Sequence, residues 1–509
     1  MHVTLIRPPI LVPRLALTAP TCPPVGLAYV AGALRAAGHD VTVIDAVGAA
    51  PDQFVDYRGD RLLTHGLTVD QTAQRVPADT DVIGVSCMFS HEWPVDRELL
   101  EAVRRRCPEA LLVVGGEHVT AMADVVLDQC PAIDVVVLGE GETTLAEVIA
   151  RHAEGAAPEP LAGTATREVG DDSRTGTPVL LAARRDRVLA VDDLAAPAWD
   201  LFPVEAYLSR GLGFGVHRGR SMPVVATRGC PYQCTFCSSP AMWTTRYVAR
   251  SPQEVVDEIQ SYVRDYAAEN IDFYDLTAIV RKSWVLEFCR LVQARGLSIT
   301  WQLPSGTRSE ALDDEVLGEL YRAGCRNLSY APESGSPAVL ERIKKRVDLG
   351  RMRRSMRAAV RAGINTKANI ILGFPGETHR EVFQTLGFCV HVAVLGLHDL
   401  SITPFSPYPG TELFDELSAA GRVGPFDDEY FLSLLSYSDL SAAVSWSEHI
   451  SDAALGRYRA LGMALFYGTS FLCRPWRVLQ LVRNVAFREQ QESRLEMTLK
   501  DHLHRRKGR

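Results

Sequence analysis

Apolar positions along this chain follow two rhythms. In residues 1–150, short β-branched runs at 3–6, 41–44, 82–87, 111–114 and 135–138 alternate with stretches of helical spacing, the first at 26–37. Brief apolar runs closed by Gly, Ser or Cys read as strands buried on both faces. Strand and helix alternating at this length predict an α/β, doubly wound, Rossmann-like parallel sheet, whose ligands bind at the carboxyl ends of the strands.

Residues 151–219 lose the rhythm. They are rich in Ala, Pro, Gly, Asp and Arg, as in Gly170-Asp171-Asp172-Ser173-Arg174-Thr175-Gly176, and read as a linker. A second α/β region covers 220–410, with strand-like segments at 224–226, 271–274, 298–301, 327–330 and 366–372. Helical stretches of barrel-forming length separate them, which predicts a full or partial β/α barrel of the TIM type. Residues 411–509 are mostly helix-like. Within them, 461–473 is apolar over only 13 residues, which reads as a buried helix rather than a membrane span.

Composition narrows the functional classes. A 509-residue chain with 47% hydrophobic and 23% charged residues and a mean hydropathy of -0.01 is expected to fold as about three domains around large cores. No apolar run reaches 18 residues, and the amino terminus begins directly as a strand, so neither a transmembrane segment nor a leader is expected. The net charge of -8 gives no general attraction for phosphate backbones, which argues against nucleic acid as a partner. That charge is uneven: residues 474–509 carry ten basic and four acidic side chains, a tail of +6 on a body of -14. Such a tail reads as a solvated helix face, with peripheral contact to an anionic carrier or membrane surface as the alternative. Eleven irregularly spaced cysteines are not a disulfide framework; three grouped ones point to metal binding in a reducing compartment, the cytoplasm.

Those three lie in Arg228-Gly229-Cys230-Pro231-Tyr232-Gln233-Cys234-Thr235-Phe236-Cys237. Three thiolates spaced C-x3-C-x2-C, on a loop after the first barrel strand, can hold three irons of a [4Fe–4S] cube and leave the fourth open to a substrate atom. Catalytic zinc keeps an open position for the same reason. A loop of core cysteines, or a zinc site short of one ligand, is the alternative, and no His or Cys follows at zinc-ligand spacing. In the first region the strand ends carry Ser86, Gly115-Gly116-Glu117-His118 and Gly139-Glu140-Gly141-Glu142, with Pro23-Pro24-Val25-Gly26-Leu27 ahead of them. Glycines there let backbone approach a large flat ligand, and backbone N–H groups can donate to its polar rim.

With Phe236 as its aromatic, C-x3-C-x-aromatic-C resembles the cluster motif of the radical S-adenosylmethionine (SAM) superfamily. Tyr274-Asp275-Leu276-Thr277, Ser305-Gly306-Thr307-Arg308, Glu333-Ser334-Gly335-Ser336 and Ile371-Leu372-Gly373-Phe374-Pro375-Gly376-Glu377 stand after later strands, as SAM-contacting segments do in that superfamily. The resemblance implies metal ligands Cys230, Cys234 and Cys237, and SAM contacts from Phe236, Tyr274, Asp275, Thr277, Ser305, Arg308, Glu333 and Gly373. Asp275-Leu276 departs from the commoner paired glycine or paired acidic residues.

Residues 1–150 resemble the cobalamin-binding domain ahead of many radical SAM cores, in a branch that includes methyltransferases and the anaerobic magnesium-protoporphyrin ester cyclase. This implies cobalamin contacts from Gly26, Leu27, Ser86, Met88, Gly115, Gly116, Glu117, His118, Gly139, Glu140, Gly141 and Glu142. The D-x-H-x-x-G motif is absent from the loop after residue 6, and His118 stands in another loop, so cobalt is expected without a histidine ligand, with residues 88–93 nearest its lower face.

Together the two resemblances imply a 5′-deoxyadenosyl radical that takes hydrogen from a small or carrier-bound metabolite held between the domains. Methylcobalamin then supplies a methyl group to a carbon, and the electron comes from a donor such as flavodoxin or ferredoxin. Oxidative cyclisation or rearrangement is the alternative. A methylthiotransferase would need a second three-cysteine cluster, for which Cys22, Cys87 and Cys130 are loosely placed, and a cofactor sensor or carrier would have no use for the later SAM-like segments. Structural roles are expected for His391 and His398, a solvated helix face for Lys344-Lys345-Arg346, and either pocket lining or packing for Tyr408.

Overall fold

The computed structural model describes residues 1–14, 16, 21–59, 61–155, 161–167, 178–179, 183–439, 443–488 and 490–507; the Gly170–Gly176 stretch lies outside them. Strands β1 (His2–Arg7), β2 (Asp40–Asp45), β3 (Val82–Ser86), β4 (Leu111–Gly115), β5 (Val135–Val137), β6 (Thr164–Arg167) and β7 (Pro178–Val179) form one sheet. Its order is β7-β6-β5-β4-β3-β1-β2, parallel from β5 to β2, with β6 and β7 added antiparallel. The chain moves outward from β1 to β2 and then crosses to the far side of β1 to form β3. Such a reversal opens a crevice at the strands' carboxyl ends. Helices α1 (Val25–Ala36), α2 (Trp93–Arg106), α3 (Glu117–Ala121) and α4 (Gly141–Ala153) follow β1, β3, β4 and β5.

The helix α5 (Ser239–Trp243) comes next and lies in the second domain. That domain's sheet is β8 (Ser221–Val224), β9 (Asn270–Phe273), β10 (Thr300–Thr307), β11 (Cys325–Glu333), β12 (Asn365–Leu372) and β13 (Asp399–Pro404), six strands in sequential order and all parallel. Its helices are α6 (Pro252–Tyr266), α7 (Lys282–Ala294), α8 (Asp314–Arg322), α9 (Leu349–Arg361) and α10 (His379–Leu395). Six strands make a partial barrel, open between β8 and β13. The carboxy-terminal helices are α11 (Asp452–Cys473), α12 (Trp476–Phe487) and α13 (Arg494–Lys507).

One apolar core runs through both domains, from Val3, Leu5 and Val113 through Trp199, Phe202 and Leu208 to Phe273, Trp301 and Tyr330. Residues 151–219 are therefore more than a linker. They give β6 and β7 to the first sheet, and Trp199 fills the seam, its indole N–H donating to Tyr262 at 3.0 Å. The other face of the first sheet packs on Leu413, Phe414 and Phe431 from the carboxy-terminal region, so the cobalamin-type domain is clamped on both faces.

The 461–473 stretch is not fully buried. It lies inside the 22-residue α11, which buries Leu455, Gly462 and Phe466 while leaving Leu461 and Leu472 exposed. Among the described residues, no helix is long and apolar enough to cross a membrane.

Candidate functional site

The Cys230–Cys237 loop leaves β8 through a short strand pair, Thr227–Arg228 against Val248–Ala249. Gly229 has φ +80°, and a Cβ there would stand 2.4 Å from the Arg246 carbonyl oxygen, so only glycine turns the chain at this point. The loop is pinned on both sides: Thr235 N–H donates to the Ile343 carbonyl, Leu413 N–H to the Thr235 carbonyl, and Cys237 N–H to that of Cys234. The three thiols are half-buried and close together: Cys230 raises the pKa of Cys234, and both raise that of Cys237. Burial is the largest cause of each shift, and pushes the Cys237 thiol up to about 12; Lys345 pulls Cys230 and Cys234 back down.

Among the described residues, no three Cys, His or carboxylate groups converge tightly enough for a single metal ion. A cube that gives each thiolate its own iron asks for a wider triangle. The hydroxyls of Thr235 and Ser239, beside Cys234 and Cys237, are buried and have no hydrogen-bond partner, as does the hydroxyl of Thr277 after β9. Buried polar atoms are seldom left unpaired, so this end of the barrel is built around a further polar group. The residues present fit a cluster.

Every SAM-contact candidate lies at the carboxyl end of the barrel strands. Phe236 packs between the Phe374 ring at 5.7 Å and the Lys345 ammonium at 5.9 Å. Several candidates are held by protein contacts. Asp275 accepts from Thr227 Oγ1 at 2.6 Å and from the Ala226 N–H, so it braces the strand leading into the cysteine loop. The Tyr274 hydroxyl is buried near the Cys22 thiol of the first domain, which helps to push its pKa up. Arg308 lies 3.5 Å from the centre of the Tyr232 ring and donates to Glu310 and the Arg346 carbonyl. Glu333, at φ +62°, holds Lys345 at 2.9 Å. Ser305 accepts at its carbonyl from Asn369. Gly373 has φ +87°, and a Cβ there would press on Leu455 of α11.

In the first domain the crevice is a cavity of about 160 Å³ that opens to solvent. Leu5, Gly84 and Val113 form its floor, Gly26, Leu27 and Val30 of α1 one wall, and Gly139 to Glu142 the other, with Ser86, Met88, Gly115 and Gly116 at the strand ends. Met242 and Trp243 of α5 close it from the barrel side. A Cβ at Gly26 would meet no atom within 4 Å, and one at Gly115 nothing nearer than 3.8 Å, so those glycines keep space open rather than relieve a clash. The lining, apolar and rich in glycine backbone, fits a face of a large flat ligand such as a corrinoid.

Three of the acidic cobalamin candidates prove to have protein partners. Arg228 reaches Glu140 at 3.0 Å and also Glu142, all three side chains 8% exposed or less. Glu140 takes a second cation, Arg187, at 2.7 Å. Glu117 accepts from the Ser238 hydroxyl, next to Cys237. Both Gly-rich boxes thus offer backbone to the crevice and carboxylates to the residues that flank the cysteines. His118 is corrected outright: it does not line the crevice. It is buried against Trp93 and Phe431, with Nδ1 3.0 Å from Ser90 Oγ and Nε2 without a hydrogen-bond partner. Lys344 does sit on the surface, paired with Glu412, but Lys345 is buried against Glu333 and is not part of a solvated face. Tyr408 serves packing, donating to the Leu434 carbonyl, and His398 is half-buried, its Nδ1 accepting from the Thr366 N–H at 3.1 Å. Sequence reasoning missed Arg228 and Lys345; the first adjoins the cysteine motif, which was a usable signal.

Buried titrating groups give a signed pH prediction. Burial raises the neighbouring carboxyls of Glu92 and Asp96 and lifts Glu377 to about 7 and Asp275 to about 6, so the folded chain holds protons there that the unfolded chain has lost. Stability then rises as pH falls through that window. Burial also holds His91 near 4 and His118 and His398 near 3, which opposes the trend once the unfolded histidines protonate near 6.5. The melting temperature of cofactor-free protein is expected to climb from pH 8 to about 6.5 and to flatten below. Scanning calorimetry checks this, and a midpoint that falls between pH 8 and 6.5 contradicts it.

Comparison with known proteins adds an independent line. The chain matches the B12 binding domain over residues 13–149 and the radical SAM superfamily over 224–389. It is 30% identical to an uncharacterized methyltransferase of Pyrococcus horikoshii over 417 residues, 82% of this chain and 83% of that one. It is 28% identical to the cytidylyl-2-hydroxyethylphosphonate methyltransferase of Streptomyces wedmorensis, with 80% of each chain covered. In fold it is similar to the radical SAM methyltransferase TsrM of Kitasatospora setae, solved with cobalamin and a [4Fe-4S] cluster, at a TM-score of 0.63 and 19% identity, covering 83% of this chain and 79% of that one. With both domains matched and a 30% identical relative spanning the seam between them, the chain belongs to the radical SAM enzymes that carry an amino-terminal B12-binding domain.

Proposed function

We propose that this enzyme transfers a methyl group to a carbon of a small or carrier-bound metabolite. One observation carries the reading: carboxylates from both Gly-rich boxes of the B12-binding domain clasp Arg228 and Ser238, the residues on either side of the three cysteines. That clasp turns the crevice mouth and the cysteine loop toward one another. When bound, the cluster, SAM and cobalamin supply one-electron cleavage of a carbon–sulfur bond and a transferable methyl group; the protein supplies geometry and exclusion of water.

In this reading Cys230, Cys234 and Cys237 hold the cluster, and Lys345 offsets the negative charge of their thiolates. Phe236 shields the cluster's inner side against Phe374. Thr277, with its free buried hydroxyl, is the SAM-side residue best placed to donate or accept a hydrogen bond, while Asp275 and Arg308 keep the loop in place. Gly26, Leu27, Ser86, Met88, Gly115, Gly116 and Gly139 to Glu142 form the corrinoid crevice, with Met242 and Trp243 as its far wall. All eleven cysteines are free, which suits a reducing compartment, the cytoplasm, and a flavodoxin- or ferredoxin-type donor there.

The test is anaerobic reconstitution with SAM carrying a labelled methyl group, cobalamin and a low-potential reductant, followed by mass spectrometry. 5′-Deoxyadenosine together with label in the product is expected. A verified cluster that yields no 5′-deoxyadenosine overturns catalysis, and an unlabelled product replaces methyl transfer with cyclisation or rearrangement.

A further inference from the structure

Helix α12 is folded inside out. Its inward side is polar: Arg477 donates to the carbonyls of Gly396 and Leu397 at 2.7 and 2.6 Å, Gln480 to Glu492 at 2.6 Å, and Asn484 to Glu496 at 3.0 Å. Its outward side is apolar. Trp476, Leu479, Val482 and Phe487 share one face by helical spacing, and Leu479 and Phe487 are 74% and 84% exposed. Leu472, in the last turn of α11, is 85% exposed beside them in sequence. Single exposed apolar residues are ordinary, but a helix that turns its polar residues inward to present such a face needs a partner.

Charge identifies that partner. Residues 474–488 hold four arginines and no acidic side chain; Arg474 and Arg477 turn inward to the carbonyls at the end of α10, Arg488 pairs with Glu492, and Arg483 faces out. Arg483 stands exposed on the apolar face next to Val482, and Arg488 follows Phe487. An apolar stripe with tryptophan at one end, Arg483 within it and Arg488 at its far end is the pattern of a helix lying in a lipid headgroup layer. A second copy of this chain fits worse, because a two-fold contact through this face would bring Arg483 toward its own copy. We propose that α12 seats the enzyme on an anionic lipid bilayer, its axis in the membrane plane and Trp476, Leu479, Val482 and Phe487 dipped among the acyl chains. The basic tail then acts through one helix rather than through diffuse charge, and the enzyme works at the surface of a membrane that it does not cross.

The experiment is flotation of the full-length chain with vesicles of phosphatidylcholine alone or mixed with phosphatidylglycerol, at low and high salt. The wild type is expected to float with the mixed vesicles and to be released by salt. A variant carrying Trp476→Ser, Leu479→Gln and Val482→Gln should bind about tenfold less or worse, and Arg483→Glu should weaken binding to mixed vesicles alone. Neither change touches the cysteine loop or the crevice, so unchanged circular dichroism and unchanged 5′-deoxyadenosine formation show that the variants are folded. The proposal is overturned if the wild type floats with neither vesicle, if it floats equally with both and the triple variant does too, or if it elutes as a dimer that the triple variant converts to monomer.

Discussion

Alanine in place of Cys230, Cys234 or Cys237 is expected to abolish SAM cleavage while leaving the chain folded and able to bind cobalamin. Each thiol is half-buried in a loop whose path is set elsewhere, by the backbone hydrogen bonds of Thr235, Leu413 and Cys237 and by the left-handed Gly229. Removing one sulfur therefore costs little in packing. It removes one of three protein ligands from a cube that already has one open corner. Anaerobically prepared variants should lose iron and the associated visible absorbance, and 5′-deoxyadenosine should fall to background. None of the three cysteines lines the crevice of the first domain, so cobalamin should still be retained in stoichiometric amount. A variant that keeps its iron and still cleaves SAM would remove the basis of the functional reading. Loss of cobalamin together with iron would show the two sites to be less separable than the geometry implies.

Much of this architecture was legible in the sequence because its strands are fully buried. Runs such as Val82 to Ser86 and Leu111 to Gly115 lie between layers of helices on both faces, and such strands are written as unbroken apolar letters. The cysteine loop was legible because its ligands are neighbours in sequence. What escaped were contacts that depend on how one domain meets the other. Arg228 and Glu142 stand 86 residues apart, and nothing local to either announces the pair. Glu140 and Glu142 looked like crevice residues and are so through their backbone, while their carboxylates point to the barrel.

Lys345 escaped for a different reason. A run of three basic residues normally marks a solvated face, but Lys344 adopts φ +54° and this turn carries the middle ammonium inward to Glu333. The tail's charge read as a solvated helix face, and it did not tell that in α12 the apolar side, against the usual rule, faces out.

The largest change in stability is expected from Arg228→Ala. The guanidinium lies between Glu140 and Glu142 with all three groups buried, and it also covers the rings of Tyr29 and Trp243 at 5.7 Å each. Removing it strands Glu142 without a cation and leaves Glu140 with Arg187 alone. Breaking one partner out of a buried ion pair costs about 3–5 kcal/mol, because the remaining charge loses its compensation without regaining water. Urea unfolding should show a loss of that order; a change under about 0.5 kcal/mol, typical of a surface substitution, would contradict it. Arg228→Lys should fall between the two, since an ammonium keeps the charge but cannot bridge both carboxylates with a planar fork.

The same residue makes a linkage testable without knowing the substrate. Gly139 to Glu142 form one wall of the corrinoid crevice, and through Arg228 that wall grips the residue two positions before Cys230. A ligand that orders the wall must then also order the cysteine loop, and the coupling is reciprocal. In the wild type, added cobalamin should slow the removal of iron by a chelator. In Arg228→Ala that protection should disappear even under conditions where the variant remains folded and still binds cobalamin. If cobalamin protects the iron equally in both proteins, the Arg228 bridge is a structural tie and the two cofactor sites communicate by another route, for which the Glu117–Ser238 contact and the Arg187 bridge from Glu140 to the Trp243 carbonyl remain.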